Sequence, residues 1–408
     1  MNKEVEDLIN EIVWWIPLQN KRNKLRNKLI NIIQSKNKCI EDLNKLISER
    51  ENIKNIVSDE ILCYPLNWLK YIDSDNFLVK LKNLIKDLDD ESIQTVLYFI
   101  NRIIKYHRKS DNHLKYMNSK EINDNKFMIE KEDMVLDFED YQYYNGMKLT
   151  NKINMSYKVG QNFSNIHSYE LLFNKYMKDI DIADKNILDI GACYGDTSIF
   201  LATKTKQIVY SFEPVKKTYN FLLETIELNE NKNIIPFNLG ISNHIGNSKI
   251  YIPTYEGYND LTSSSINNTF NKKDTIIENI SLTTVDDFVK EKNIEVGFIK
   301  VDIEGEEQKF LEGAKNTIIK QRPYMVISIY HNESDFFDIK PIIESYNADY
   351  GFKIVKMIPY VGAYEIVLFC YPNNNRAEQS RAEQSRAEQS RAEQSRAVMF
   401  EYAYRKTA

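Results

Sequence analysis

Two spacings of apolar residues divide the chain. From Leu25 to Val57 apolar positions recur every three or four residues, which predicts a helix with one apolar face. Ser74 or Asp75 is suited to cap a second helix, and Asp90 or Ser92 a third. The pattern therefore predicts a helical region over residues 1–110, and self-association through these helices is one open role for it.

Residues 111–168 begin as a polar, charged stretch that is typical of a linker. Within it, Asn145-Gly146 stands between the aromatic segment 141–144 and the more apolar segment 147–149. Asn-Gly is a strong signal for a two-residue hairpin turn because both residues tolerate positive φ. We predict a linker that carries one β-hairpin.

From residue 169 to residue 372, short apolar segments alternate with amphipathic ones. This alternation favours an α/β fold with a mostly parallel, doubly wound sheet and helices on both faces. Helices are predicted to begin near Tyr169, Asp196, Lys216, Glu306 and Asp335. The predicted strands are Ile187–Ile190, Ile208–Phe212, Ile234–Asn238, Phe298–Asp302, Tyr324–Tyr330 and a closing antiparallel pair, Phe352–Met357 and Glu365–Tyr371.

The last segment, residues 373–408, has a different composition. The pentapeptide Arg-Ala-Glu-Gln-Ser repeats from Arg376 to Ser395. These residues favour a helix, but they offer no large apolar side chain that could dock on a core. We expect a solvated helix or disorder here.

Composition and charge narrow the function classes. The net charge of −5 argues against a general nucleic-acid binder, since the phosphate backbone favours a surplus of Lys and Arg. No cysteine pair has a metal-ligand spacing, which favours a reduced, cytoplasmic environment. No run of about 18 apolar residues predicts a transmembrane segment. The aromatic and basic segment Trp14–Lys28 leaves contact with a membrane surface as a weaker alternative to an ordinary core contact.

The most informative stretch is Asn186-Ile-Leu-Asp-Ile-Gly-Ala-Cys-Tyr-Gly-Asp196. A predicted strand ends there, Gly191 and Gly195 follow, and a helix begins at Asp196. Glycine tolerates positive φ and lets the backbone approach a ligand, and ligands of such sheets bind beyond the carboxyl ends of the strands. Glu213 ends the next strand, where its carboxylate can accept hydrogen bonds from both ribose hydroxyls of a nucleoside.

Two cofactors use this geometry. A nicotinamide dinucleotide calls for Gly-x-Gly-x-x-Gly, so that amides and a helix N-terminus face its pyrophosphate. Here the spacing is Gly-x-x-x-Gly, and Asp196 puts a carboxylate where phosphate would lie. S-adenosylmethionine has no phosphate, and an acidic rim suits its sulfonium and ammonium charges. A tight turn without a ligand remains the alternative for the glycines alone.

The blocks Leu188–Asp196, Ser211–Pro214, Thr284–Phe288 and Val301–Glu307 resemble the FkbM family of methyltransferases, over about residues 187–369. The resemblance implies a seven-stranded class I methyltransferase fold and methyl transfer to an oxygen, often on a sugar or polyketide hydroxyl. By position it implies that Asp189 and the glycines line the methionine end, Glu213 the ribose, and Asn238 with Leu239 the adenine edge. The full cofactor set is Asp189, Gly191, Ala192, Cys193, Tyr194, Gly195, Glu213, Pro214, Asn238 and Leu239.

Asp302, Glu304 and His331 form a second group of candidate residues, at the ends of neighbouring strands. His331 suits a general base because its unperturbed pKa is near 6.5, and Asp302 can do the same or orient the imidazole. Alternatively, Glu304 simply begins the next helix, and His331 is structural. The two carboxylates also suit Mg²⁺, but no further ligand is evident, so no metal is predicted.

The sequence therefore predicts an S-adenosylmethionine-dependent O-methyltransferase that acts on a hydroxyl of a small molecule or glycan, such as a sugar of a bacterial surface polysaccharide. Tyr255, Tyr258 and Ser263–Ser265 lie where such enzymes build acceptor loops, or they form an ordinary exposed loop. Two other classes stay open. One is a non-catalytic scaffold that binds the cofactor, and the other is a nicotinamide-dependent sugar oxidoreductase.

Overall fold

The computed structural model describes residues 66–72, 74–109, 134–150, 164–178, 180–230, 232–255, 258–259, 261, 263–266, 275–357 and 365–373. The aromatic and basic segment 14–28, the helix predicted from Leu25 and the repeat tail lie outside these residues. Among the described helices, none has the length and apolar character needed to cross a membrane.

The strands of the central sheet alternate with helices along the chain, as predicted. The helices are α1 (Leu66–Ile72), α2 (Phe77–Ile85), α3 (Asp90–Lys109), α4 (Ser164–Tyr176), α5 (Asp196–Ala202), α6 (Lys216–Leu228), α7 (Val285–Lys292), α8 (Glu307–Gly313), α9 (Lys315–Gln321) and α10 (Glu333–Ser345). The strands are β1 (Leu136–Asp137), β2 (Tyr141–Tyr144), β3 (Met147–Thr150), β4 (Asn186–Ile190), β5 (Val209–Phe212), β6 (Ile234–Phe237), β7 (Gly240–Ile241), β8 (Gly246–Tyr255), β9 (Tyr258–Asn259), β10 (Thr275–Thr283), β11 (Val296–Val301), β12 (Tyr324–Ser328), β13 (Tyr350–Lys356) and β14 (Ile366–Pro372).

A seven-stranded sheet forms the centre of the fold, in the order β13-β14-β12-β11-β4-β5-β6. The strands from β12 to β6 pair in parallel, and β14 pairs antiparallel with both of its neighbours. The predicted doubly wound sheet with an antiparallel last strand is confirmed. β11 ends at Val301 and β12 at Ser328, before the predicted ends. Asp302 and His331 therefore lie in the loops beyond the sheet.

The sheet is covered on both faces. Neighbouring residues of one strand point to opposite sides, so Ile187 belongs to one apolar cluster and Leu188 to the other. Phe298 and Ile299 divide in the same way on β11. Burial on both faces explains why these strands appear in the sequence as continuous apolar runs rather than as alternating ones.

Helices α1 to α3 pack on one edge of this sheet. The ring of Trp68 lies 5.1 Å from that of Phe99 and 5.6 Å from that of Phe336 on α10. On β13, the backbone amide of Ile354 donates a hydrogen bond of 3.0 Å to Ser92 Oγ. The described part of the predicted helical region therefore shares an apolar core with the sheet.

The predicted hairpin is present as β2 and β3, and it packs on α6. Asn145 and Gly146 both have positive φ, as the turn requires. The Lys148 amide donates to Asn229 Oδ1 at 2.7 Å, and Asn229 Nδ2 donates back to the Lys148 carbonyl at 2.6 Å. The domain boundaries at residues 110 and 168 remain predictions, but the hairpin is joined to the sheet layer by these contacts.

The sequence analysis missed a second sheet between β6 and β11. Strands β7, β10, β8 and β9 form it, with β8 and β10 as a long antiparallel pair. The sequence signal for this sheet is an apolar residue at every second position. Ile250 and Ile252 are buried on β8, and so are Ile280 and Leu282 on β10. Polar residues between them made the segment resemble a loop.

Candidate active site

The glycine loop joins β4 to α5 at the carboxyl edge of the sheet. Gly191 and Gly195 have φ of 77° and 89°, as predicted for this turn. A Cβ on Gly191 would lie 1.8 Å from the Asp302 carbonyl oxygen, and one on Gly195 would lie 2.7 Å from Leu222 Cδ1. Both positions therefore require glycine, because a side chain there would clash with other parts of the protein. They also bring the loop directly against the end of β11.

Asp189 lies beneath the loop and does not line a ligand surface. Its carboxylate has no exposed area. It accepts hydrogen bonds from Thr197 Oγ1 at 2.9 Å and Ser198 Oγ at 2.6 Å, and it lies 3.3 Å from Lys300 Nζ. These internal contacts anchor the start of α5, and the role of Asp189 at the methionine end stays a prediction of the resemblance.

Lys300 is the counterion that the sequence analysis did not identify. Its ammonium group is 4% exposed and donates to the Gly191 carbonyl oxygen at 2.5 Å. Burial alone lowers the pKa of Lys300, but nearby carboxylates, Asp189 above all, raise it above its ordinary value. Lys300 is therefore cationic and ties β11 to the glycine loop. The sequence signal for this counterion is a single lysine within the apolar run Phe298–Val301, where a charged side chain needs a buried partner.

Glu213 ends β5 opposite the glycine loop. Its Oε1 accepts from the Val215 amide at 2.8 Å and its Oε2 from the Cys193 amide at 3.2 Å. Burial raises the pKa of Glu213 to about 8, against the lowering effects of these amides and of Lys300. Each carboxylate oxygen keeps a second lone pair with which to accept a ligand hydroxyl.

The other predicted cofactor residues surround this carboxylate. Ala192 is buried, and its amide donates to the Phe212 carbonyl oxygen at 2.9 Å. Tyr194 is buried, with its ring centroid 5.9 Å from that of Phe221. Asn238 donates through Nδ2 to the carbonyl oxygens of Glu213 and Pro214 at 2.9 and 2.8 Å, and Leu239 packs on the core beside it. Asn238 therefore braces the loop after β5 and has its amide nitrogen engaged within the protein.

Asp196 begins α5 and bears on the choice between the two cofactors. It is 6% exposed, and its Oδ1 accepts from the Thr197 amide at 2.9 Å. A dinucleotide pyrophosphate needs such amides at a helix N-terminus, and it would meet a carboxylate instead. The position disfavours a nicotinamide dinucleotide and suits a cationic ligand.

Asp302, Glu304 and His331 are brought together, as predicted. His331 Nε2 lies 3.3 Å from Asp302 Oδ1 and 3.5 Å from Glu304 Oε1. The imidazole is 7% exposed, while the two carboxylates are 28% and 31% exposed. Because Asp302 also touches Gly191, this cluster adjoins the glycine loop. We call these three residues the acid–histidine cluster.

Glu307 is a fourth member of the site, and the sequence analysis did not name it as a candidate residue. Its Oε1 lies 2.8 Å from His331 Nδ1 and accepts from the Ile303 amide at 3.0 Å. Its Oε2 accepts from the Gly305 amide at 2.9 Å. This fully buried carboxylate fixes both the imidazole and the turn that carries Glu304.

The charge of His331 differs from the sequence-based expectation. Burial lowers the pKa of its imidazole, but Glu307 and Glu304 outweigh burial and raise the pKa well above 6.5. The imidazole therefore favours its cationic form more strongly than a free histidine does, and a cationic imidazole accepts no proton. Of the two bases that the sequence analysis left open, this favours Asp302, and the role of His331 stays a prediction.

The second sheet reaches the same site. Ser265 bridges to Tyr251 on β8, and its Oγ donates to the Glu304 carbonyl oxygen at 2.7 Å. Of the residues that the sequence analysis named for an acceptor loop, Ser265 therefore lies against the acid–histidine cluster. Glu365 also interacts with this cluster. Its burial, above all, and the Asp302 carboxylate raise the pKa of Glu365 to about 8.

The strand order, with an antiparallel strand beside β12, is that of the predicted class I methyltransferase fold. Residues 189–354 match the model described as the methyltransferase FkbM domain. This match confirms the predicted resemblance to the FkbM family over these residues.

Solved structures show looser similarity. FkbM methyltransferase from Methylobacillus flagellatus KT is 16% identical, with a TM-score of 0.46 over 78% of this chain and 64% of that chain. This chain therefore spans less than two thirds of that protein. Aeropyrum pernix fibrillarin, in complex with natively bound S-adenosyl-L-methionine, is 10% identical, with a TM-score of 0.32 over 58% of this chain and 96% of that one. No curated protein matches the sequence significantly.

Proposed function

We propose that this protein transfers the methyl group of S-adenosylmethionine to a hydroxyl oxygen, on a sugar unit of a glycan or a related small molecule. The observation that carries the proposal is the contact between Gly191 and Asp302, which joins the cofactor loop to the acid–histidine cluster. A methyl donor held by the loop would present its methyl group to these carboxylates. The sugar acceptor rests on the family resemblance.

The residues present fit this cofactor. Glu213 has a lone pair on each oxygen for the two ribose hydroxyls, and the adjacent amide of Cys193 fixes its orientation. Asp196 and Asp302 give the loop an acidic rim, which suits a ligand with sulfonium and ammonium charges. Asn238 is proposed at the adenine edge through its carbonyl oxygen, since its amide nitrogen braces the loop.

When bound, S-adenosylmethionine supplies an electrophilic methyl group on its sulfonium. Asp302 would take the proton of the acceptor hydroxyl while that oxygen accepts the methyl group, and S-adenosylhomocysteine would be the other product. The cationic His331 holds the carboxylates of Asp302 and Glu304 in place. Alignment can contribute up to about 7–11 kcal/mol and a general base about 10²–10⁴-fold, so the arrangement of the acceptor is expected to matter most.

The first test is a calorimetric titration of the full chain with S-adenosylhomocysteine, with NAD as the control ligand. We expect binding of the homocysteine nucleoside alone. The change Glu213→Gln should weaken it by about 10–100-fold, because a charge-assisted hydrogen bond is stronger than a neutral one by about 1–3 kcal/mol. Glu278→Gln is the matched control, since Glu278 accepts a hydrogen bond from the Lys216 amide, where α6 begins, and not from the glycine loop in the part of the chain that the structure describes.

Binding of NAD in preference to the nucleoside would instead support the oxidoreductase alternative. Nucleoside binding without methyl transfer to any hydroxyl acceptor would support the scaffold alternative. To test the scaffold alternative, monosaccharides and polysaccharides are screened as acceptors. The release of S-adenosylhomocysteine measures turnover.

Affinity for the nucleoside should also depend on pH through Glu213. Its pKa is about 8 in the free protein, and ribose hydroxyls donate to the ionised form, so binding favours loss of the proton. Affinity should therefore rise with pH and level off above about 8, with a slope of up to about tenfold per pH unit below it. Titrations from pH 6 to pH 9 check this. A slope that persists unchanged in Glu213→Gln would assign the effect to another group.

A further inference from the structure

The acid–histidine cluster has the donor set and spacing of a metal-binding site. Its three ligand atoms, one from each side chain, all lie within 4.8 Å of one another. The distances from His331 Nε2 to the two carboxylate oxygens are 3.3 and 3.5 Å. Ligands about 2.1 Å from a divalent ion and about 90–110° apart are separated by about 3.0–3.4 Å, so the two histidine distances need little adjustment.

The histidine is an independent sign of a ligand. Its side chain is 7% exposed, and within the part of the chain that the structure describes nothing hydrogen-bonds to Nε2. Asp302 Oδ1, the oxygen that faces it, is likewise without a hydrogen bond among the described residues. The two atoms are 3.3 Å apart but lack the alignment of a hydrogen bond, so a cation between them would satisfy both.

The surroundings of His331 match those of metal-binding histidines. Such a histidine usually gives its second ring N–H to a carboxylate, which fixes the ring and makes the free nitrogen a better ligand. Glu307 occupies that position, 2.8 Å from Nδ1, and is itself held by the Ile303 and Gly305 amides. The imidazole is therefore oriented from behind, with Nε2 facing Asp302 and Glu304.

We propose that Asp302, Glu304 and His331 bind one divalent cation, which holds the acceptor hydroxyl in line with the methyl group. Two carboxylates with one imidazole suit an ion that accepts both oxygen and nitrogen, such as Mn²⁺, better than the all-oxygen shell preferred by Mg²⁺. The ion takes the place of the proton on Nε2. Asp302 Oδ2 stays available for the acceptor proton.

This inference rests on the proposed function for the purpose of the ion, but not for its binding. A hydroxyl bound to a divalent cation has a lowered pKa, so its proton passes more easily to a carboxylate. The prediction of no metal from sequence depended on the lack of a third ligand. The fold supplies that ligand from the loop after β12.

The test is a titration of the full chain with Mn²⁺, without nucleoside or acceptor, followed by calorimetry and by the electron paramagnetic resonance signal of free Mn²⁺. We expect one tightly bound ion per chain. Asp302→Asn and Glu304→Gln should each weaken binding by at least about tenfold, and Glu307→Gln by about 10–100-fold through its hold on His331. Glu312→Gln, on the same helix as Glu307 but facing Asn243, should leave binding unchanged.

Absence of Mn²⁺ binding, or binding that survives both Asp302→Asn and Glu304→Gln, overturns the site. Thermal unfolding of each variant ensures that lost binding does not reflect lost folding. A parallel titration with S-adenosylhomocysteine in EDTA separates the two ideas. Nucleoside binding without Mn²⁺ binding rejects only the metal, whereas Mn²⁺ binding without nucleoside binding rejects the proposed function and leaves the metal site standing.

Discussion

Replacing Asp302 by Asn is expected to lower methyl transfer by about 10²–10⁴-fold, the usual contribution of a general base. The amide keeps the shape of the side chain but cannot take the acceptor proton. Affinity for S-adenosylhomocysteine should stay close to that of the unchanged protein, because the contact to Gly191 is made by the backbone of Asp302. Turnover with a screened hydroxyl acceptor and calorimetric titration measure the two quantities separately.

The matched control is Asp338→Asn on α10. Asp338 is 24% exposed, close to the 28% of Asp302, and forms an ion pair with Lys80 away from the site. It should leave turnover unchanged. If Asp302→Asn also leaves turnover unchanged, the proton goes elsewhere, and the assignment of Asp302 as the base is wrong.

Replacing Lys300 by Met is expected to lower the free energy of unfolding by about 3–5 kcal/mol, the usual loss when a buried ion pair keeps only one partner. Asp189 would remain fully buried and lose the cation 3.3 Å from it. Thr197 and Ser198 still donate to its carboxylate, but two hydroxyl hydrogen bonds do not replace a full charge. Urea unfolding of both proteins measures the difference.

Two further variants identify the cause. The double change Asp189→Asn with Lys300→Met should lose less stability than Lys300→Met alone, because no charge remains buried. Lys340→Met removes another buried lysine, but its partner Glu344 is 30% exposed and can be solvated, so a smaller loss is expected. Equal losses for Lys300→Met and the double change would mean that lysine packing, rather than the stranded Asp189 charge, sets the cost.

Most of the central sheet was predictable from the sequence because its strands are short apolar runs. Both faces are buried in the strands β4, β5, β11 and β12. Each of them is therefore recognisable from its own apolar run, whichever strands it pairs with. The second sheet, formed by strands β7 to β10, was not predicted. Only one of its faces is buried, so its strands do not appear as continuous apolar runs. Ile276 and Ile277 on β10 are exposed, which further blurs the alternation.

The candidate site was predictable in its residues but not in their charges. Asp302, Glu304 and His331 follow the carboxyl ends of the neighbouring strands β11 and β12, so the predicted strand order already places them near one another. The pKa of His331 depends instead on Glu307, which is the first residue of α8 and contacts both the imidazole and the Gly305 amide. Neither residue type nor spacing reveals such a contact.

Sequence alone therefore determined the fold class, the glycine loop with its acidic partner Glu213, and the three residues of the acid–histidine cluster. These follow from local patterns, since strand burial, positive φ and strand ends are properties of short segments. The tertiary structure decided that Asp189 is internal and paired with Lys300, that His331 is held by Glu307, and that the second sheet reaches Glu304 through Ser265. Burial and charge pairing act between segments far apart in the chain, and only folding brings those segments into contact.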